Sequence, residues 1–388
     1  MFFDELDSPE FRKALECTHF HTQDSKIGQH LVTYLTIERF EELLWLAWHH
    51  DRKNVQISRN SEQLDGEKRA LDIIRISEQV LKDGFSIIVN FAETFDSKIA
   101  SLCAGLGEKM GGVVNAAIFL TPPSTKAFRP HYDTMEVYAV QLIGSKRWQL
   151  SRKATELPLT KNTLPNDTGF ENPEDIVLES GDMLYAPRGQ AHSVTVGEEA
   201  YSLHISFALN PISISDVLLE NINSKKRSSK LMREGYNAFQ HKGEGFESLG
   251  QINKEATNKY ILEKAYKNLK AQNFSKMNQV PGVLSGLINF GKLENASNMY
   301  YRRLGTPLEV VLLEDAKNVA IGFPGLAQGR FSADRSLLIF PSAALTMLEF
   351  IRDNKNGFFI ENIPGPLNIE SKTTILDRLK FEKVIEKK

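Results

Sequence analysis

Residues 128–148 read FRPHYDTMEVYAVQLIGSKRW. His131 and Asp133 stand two apart, just ahead of an apolar run, a Gly144-Ser145 turn and a second run that starts at Lys146. Alternate side chains of an extended strand point to one face, so the imidazole and the carboxylate aim the same way. One imidazole and one carboxylate leave a metal site one ligand short. The third ligand has to come from a strand distant in sequence and adjacent in the fold. His192 is the candidate, at the end of LESGDMLYAPRGQAH (178–192). There Gly181-Asp182 reads as a turn, MLYA as a strand, and Pro187-Arg188-Gly189 as a second turn that delivers the histidine to the next strand.

The surroundings favour a barrel. From 113 to 210, short apolar runs (VVNAAIFL, VYAVQLIG, RWQLS, DIVLESGDMLYAPRG, HSVTVG, SLHISFAL) are separated by Pro, Gly, Asn and Asp, the signature of a β-sandwich or barrel. Two histidines and one carboxylate make the facial triad preferred by non-haem Fe(II), with open positions for a cosubstrate and O2. The same three could hold Zn, Mn or Ni. Lys146 shares a strand face with Trp148 and Leu150, opposite Arg147, Gln149 and Ser151, so it is expected to point inward. An inward lysine costs several kcal/mol without an anionic partner. A dicarboxylate cosubstrate would supply one; so would a protein carboxylate, or the amine could snorkel out at the rim. The other histidines, His19, His21, His30, His49, His50 and His241, form no ligand-like arrangement. The HxH at 19–21 and HH at 49–50 are expected at the surface or at helix ends.

A chain of 388 residues has room for two or three domains. TIERFEELLWLAW (36–48), with a Thr cap and apolar residues at helical spacing, predicts a helix, and 94–110 predicts another. GFSIIVNF (84–91) predicts a strand between them. After Pro211 the segment 212–305 is polar, Lys-rich and helical, expected to pack on itself or on a second chain. From 308 to 388, strand-like and helix-like pieces alternate as in a small α+β module such as a winged helix. The net charge of −2 gives no bulk attraction to nucleic acid or anionic membrane, and KKR at 225–227 reads as a solvated helix face. Cys17 and Cys103 are too few for a disulfide framework or a thiolate zinc site. The first residues lack a basic and apolar leader, and no apolar run reaches the roughly 18–20 residues of a bilayer span, so a cytoplasmic protein with reduced thiols is expected.

The run TPPSTKAFRPHYDTMEVYAVQLIGSKRWQL with LESGDMLYAPRGQAHSV resembles the JmjC-type cupins of the ribosomal oxygenase group, which are Fe(II)- and 2-oxoglutarate-dependent protein hydroxylases. The resemblance is dense over 113–210 and looser outside it. It implies an α+β protein built on a double-stranded β-helix, the cupin or JmjC jelly roll. The implied layout is a catalytic domain over 1–210, a helical dimerisation region over 211–306 and a winged-helix-like domain over 307–388. Residue by residue, His131, Asp133 and His192 fall on the iron ligands, and Lys146 falls on the residue that binds the distal carboxylate of 2-oxoglutarate. Thr121, Ser202 and His204 are further candidates for holding that cosubstrate. The implied cofactors are Fe(II), 2-oxoglutarate and O2; the implied partners are a protein or peptide substrate, a ribosomal protein by default, and a second copy of the chain. Two departures stand out: Ala117 and Phe119 occupy positions where the family carries Asn and Tyr. Ala208 also sits where a serine is common, so Ser202, His204 or Ser206, on the same strand face, could compensate. Three alternatives stay open: the same chemistry on a small peptide or natural-product precursor, a non-oxygenase metal cupin, and a catalytically silent binding protein. Near-neutral charge argues against direct nucleic-acid binding.

Overall fold

The structure, a computed structural model, describes residues 3–64, 73–154, 157–160, 162–163, 173–198, 200–228, 262–263, 265–266, 269, 299–302, 308–312, 317–324, 335–354, 357–382 and 384–387. The chain divides into two units, Met1–Pro211 and Ile212–Lys388.

In the first unit two antiparallel sheets face each other. The larger takes β1 (Phe20–Thr22), β2 (Val55–Arg59), β3 (Glu62–Gln63), β4 (Ser86–Asn90), β5 (Gly112–Thr121), β7 (Glu136–Ile143), β11 (Met183–Ala186) and β13 (Ser202–Pro211), in the order β1-β11-β7-β13-β5-β4-β2-β3. The smaller takes β6 (His131–Tyr132), β8 (Lys146–Ala154), β9 (Asn162–Thr163), β10 (Glu174–Leu178) and β12 (Gln190–Val196), in the order β10-β8-β12-β6-β9. From β5 to β8, and again from β10 to β13, strands consecutive in sequence alternate between the sheets, which is the double-stranded β-helix that the family resemblance implied.

Two faces of each strand have different work. On β5, Val114, Ala116 and Ile118 are buried against helix, while Asn115, Ala117 and Phe119 on the opposite face are partly open. β13 repeats this pattern, with Leu203, Ile205 and Phe207 fully buried. Between the sheets, Trp148, Leu150 and Leu178 pack with Ala139, Leu184 and Ala186 in one apolar cluster. Gly144, at φ 66°, makes the β7–β8 turn, and a Cβ there would lie 2.3 Å from the Tyr201 carbonyl, so only glycine fits.

Helices cover the outer face of the larger sheet. α1 (Pro9–Ala14), α2 (Lys26–Tyr34), α3 (Ile37–His50), α4 (Ile73–Lys82) and α5 (Ser97–Met110) precede or interrupt its strands. Thr36 caps α3, accepting from the Arg39 N–H, and Phe40, Leu43, Leu44, Ala47 and Trp48 form its buried stripe. α5 packs on β5. Asp96 caps it through the Lys98 and Ile99 N–H groups and also binds Tyr34 and Arg39. The expected helix 94–110 thus starts a little later, because Ala92–Thr94 form a 3-10 turn first.

The second unit begins with α6 (Ile214–Ser228), which carries the KKR run. Most of the helical region expected over 211–306 lies outside the described residues. Beyond it are a β15 (Glu309–Leu312), β16 (Asn318–Pro324), β17 (Arg335–Pro341) meander and a small sheet of β14 (Met299–Arg302), β18 (Phe358–Phe359) and β19 (Ile385–Lys387). α7 (Leu345–Asp353) and α8 (Ile369–Phe381) complete it. Val319, Ile321, Met347, Leu348, Ile351, Leu376 and Leu379 form its separate core.

Candidate metal centre

The register of the smaller sheet assembles the site. His192 on β12 is the cross-strand partner of His131 on β6, so residues far apart in the chain become directly opposed. Asp133 lies just past the end of β6, and the Gly189 N–H donates to its carbonyl at 2.8 Å. That bond ties the turn after β11 to the turn after β6. Arg188, beside Gly189, reaches the buried Glu136 at 3.2 Å, and the Tyr185 hydroxyl donates to the same carboxylate at 2.5 Å. Burial raises the Glu136 carboxyl above its usual range, opposed by Tyr185 and Arg188. This buttress was not legible from motif spacing; the Pro-Arg-Gly turn was its only visible sign.

Both imidazoles are held in the ligating tautomer. His131 Nδ1 lies 2.7 Å from the Arg129 carbonyl oxygen, and His192 Nδ1 lies 3.0 Å from that of Gln190. A carbonyl only accepts, so each Nδ1 carries its proton and each Nε2 presents a lone pair. Those Nε2 atoms lie 3.6 and 3.7 Å from Asp133 Oδ2. One ligand atom from each of the three residues lies within 4.8 Å of the others, the only such group of three among the described residues. Two lone pairs and a carboxylate oxygen converging on one point fit a divalent cation. His131 and His192 are buried and the Asp133 side chain is 16 % exposed, which leaves the site an approach from solvent.

Deeper in the same barrel lies Lys146. It is 3 % exposed, Trp148 3 % and Leu150 0 %, so the strand-face argument correctly placed the lysine inside. Its Nζ lies 3.2 Å from Thr121 Oγ1 and 2.8 Å from His204 Nδ1. No protein carboxylate pairs with it among the described residues. Burial holds its pKa down to about 7. Burial, with the nearby Lys146 charge, also pushes His204 well below the ordinary histidine value. His204 stacks on Phe119 with ring centroids 4.5 Å apart and planes at 13°. Trp148 touches both His192 and His204, linking the two halves of the cavity.

The remaining candidates divide. Thr121 and His204 converge on Lys146, whereas Ser202 accepts a hydrogen bond from Gln141 Nε2 at 2.8 Å, which ties it to the β7–β8 turn. Ser206 and Ala208 lie on the same face of β13, partly open. The HxH at 19–21 is not a surface feature. His21 lies on β1, its Nε2 3.1 Å from Asp182 Oδ2, and His19, just before that strand, has its Nε2 3.5 Å from Glu174. Pairing of β1 with β11, an edge no local pattern revealed, draws both rings inward. His49 and His50 do end α3, as expected.

A family model described as "JmjC domain" matches residues 91–217. This segment is similar to a JmjC domain. It contains all three converging ligands, Lys146, Thr121 and His204, and it spans β5 to β13 of the two facing sheets. A bifunctional lysine-specific demethylase and histidyl-hydroxylase NO66 from Drosophila persimilis is 36 % identical over 126 residues, covering 32 % of this chain and 18 % of that one. Ribosomal oxygenase 1 from Danio rerio is 37 % identical over 131 residues, covering 33 % of this chain and 24 % of that one. The chain thus spans about a quarter or less of the length of these curated relatives. In fold, the Escherichia coli ycfD structure matches over 98 % of both chains with a TM-score of 0.54 at 15 % identity. A ribosomal oxygenase YcfD structure in complex with cobalt and 2-oxoglutarate matches over 97 % of both chains, with a TM-score of 0.53. Among the described residues no helix is long and apolar enough to cross a membrane.

Proposed function

We propose that this protein is an Fe(II)- and 2-oxoglutarate-dependent oxygenase that hydroxylates an amino-acid side chain in a protein or peptide. The observation that carries the reading is the pairing of a two-histidine, one-carboxylate cluster with a buried lysine that has no carboxylate partner among the described residues. A structural zinc or a cupin without a cosubstrate would explain the cluster; neither explains an uncompensated amine inside the barrel. The YcfD neighbour in complex with cobalt and 2-oxoglutarate and the histidyl-hydroxylase relatives support the same chemistry.

His131, Asp133 and His192 would hold the iron, which would bind the oxo-acid end of the cosubstrate and activate O2. The overall reaction would convert 2-oxoglutarate, O2 and a C–H bond to succinate, CO2 and an alcohol. The chain's own residues bind and orient. Backbone carbonyls of Arg129 and Gln190 keep the two Nε2 atoms aimed at one point, so no ring reorganises on metal entry. Lys146 would neutralise the distal carboxylate, with Thr121 fixing the direction of the amine. Trp148 and Phe119 close the apolar walls around that end, which strengthens the charge contact by excluding water.

A ribosomal protein is the substrate to test first, and a homodimer built on the helices after Pro211 is the assembly to expect, with the C-terminal unit acting as a winged-helix packing module. Ala117, where the family has Asn, leaves a polar group out of the substrate side and keeps a small peptide as the second substrate class. The test is mass spectrometry of candidate peptides and whole-cell extract with the purified chain. A product heavier by one oxygen atom that needs both Fe(II) and 2-oxoglutarate supports the reading; turnover without 2-oxoglutarate refutes it.

A further inference from the structure

We infer that Lys146 and His204 act as one proton-sharing unit, so that the pocket takes up a proton from solvent when the distal carboxylate of 2-oxoglutarate binds. The inference rests on the oxygenase reading above and concerns residues peculiar to this cavity. Its geometric basis is a hydrogen bond of 2.8 Å between two nitrogen bases, Nζ and Nδ1, both buried. Such a bond needs one proton between the two atoms and is satisfied in either direction. The ammonium donates to a bare Nδ1, or the Nδ1–H tautomer donates to a neutral amine. Thr121 serves both states, since its hydroxyl also accepts or donates.

Among the described residues, the surroundings offer no charge to hold the ammonium form. In register beside Lys146 stand Leu178 on β10 and Val196 on β12, both apolar. Thr121 and Phe119 face it from β5, and β13 contributes His204. Gln141 of β7, in register with His204, is spent on the turn carbonyls and Ser202. The other titratable groups of the cavity are His131, Asp133 and His192 at the metal end, with Trp148 touching both His192 and His204. An uncompensated buried amine loses its proton readily, and burial here brings Lys146 to about 7. In the ammonium state two N–H bonds go to Thr121 and His204 and one remains for an incoming carboxylate oxygen. That carboxylate favours the charged amine, so binding and protonation are linked.

Phe119 explains why the histidine is available. The Phe119 phenyl ring stacks flat on His204, with centroids 4.5 Å apart and planes at 13°. The stacking fixes the imidazole plane so that Nδ1 meets the lysine. His204 is accordingly a positioning residue for Lys146.

The sign follows from linkage. Below about pH 7 the amine is already charged and binding takes up little; above it, each ligand brings a proton and affinity falls. For a free-state value near 7, 2-oxoglutarate should bind about 10-fold more weakly at pH 8 than at pH 6. The experiment is calorimetric titration of 2-oxoglutarate into the full chain loaded with Mn(II), between pH 6 and 8.5, in buffers of different ionisation enthalpy. The expected result is close to one proton taken up per ligand at pH 8 and close to none at pH 6. His204→Gln offers a fixed carbonyl acceptor to the ammonium, so the midpoint of uptake should move to higher pH. His204→Phe removes the acceptor, so it should move to lower pH. Binding without proton uptake at pH 8, or a midpoint unmoved in His204→Gln, overturns the inference and leaves the oxygenase reading intact. Absence of any 2-oxoglutarate binding by the Mn(II)-loaded chain overturns both.

Discussion

Asp133 supplies the single carboxylate of the converging cluster, and alanine offers no donor in its place. Asp133→Ala should weaken Mn(II) binding by more than about 100-fold and abolish turnover, with circular dichroism unchanged. Near-normal metal affinity in that variant would remove the carboxylate from the ligand set. Lys146→Ala removes a buried charge-assisted contact, of order 1.5–3 kcal/mol, so the KM for 2-oxoglutarate should rise about 10- to 100-fold. Arg147, next to it on β8, is not placed to replace it, since it points outward and is paired with Asp175 at 2.8 Å. The inward placement of Lys146 was legible because strand alternation alone fixes which side of β8 faces inward. The partnership with His204 was not, because it depends on which residue of β13 comes opposite β8 across the cavity. No local pattern encodes that juxtaposition.

At the scale of elements, Asp96 joins three of them. It caps α5, accepts from the Tyr34 hydroxyl of α2 at 2.6 Å, and pairs with Arg39 of α3 at 2.5 Å. Burial works against its negative charge, yet Tyr34, Arg39 and the Ile99 N–H together hold its carboxyl below the usual range. Asp96→Ala should lower stability by about 3 kcal/mol, combining a lost cap with a lost charged hydrogen bond. Asp96→Asn keeps a capping oxygen and should cost about half as much. Because the folded-state value is depressed, the contribution is present above the unfolded value near 4 and fades as pH falls through the folded one. Urea midpoints for wild type and Asp96→Asn should therefore differ at pH 7 and converge toward pH 3; a constant gap would place the effect elsewhere. The helices themselves were readable from Thr36 and the apolar spacing after it. Strand β4 was readable as well, within GFSIIVNF; what escaped was β2, β3 and the edge strand β1, and the pairing that joins them to strands remote in sequence.

For the whole molecule, the helical segment after Pro211 carries the expectation of a homodimer, since an amphipathic helix must bury its apolar stripe on a neighbour. Light scattering at micromolar concentration should give a mass near two chains, and a mass near one chain would refute it. The metal centre has a mechanical meaning as well. His131 belongs to β6, only two residues long, flanked on one side by His192 of β12 and on the other by the two-residue β9. So short a strand holds its place weakly by backbone bonding alone. An ion gripping both histidines would act as a clasp across that seam, closing a long loop of chain and denying its opened conformations. Chelation should then do more than remove the ion: amide hydrogens of His131 and Tyr132 should exchange faster, while those in the middle of β5 and β13 stay protected. The rim of the barrel would be buckled by its own cofactor.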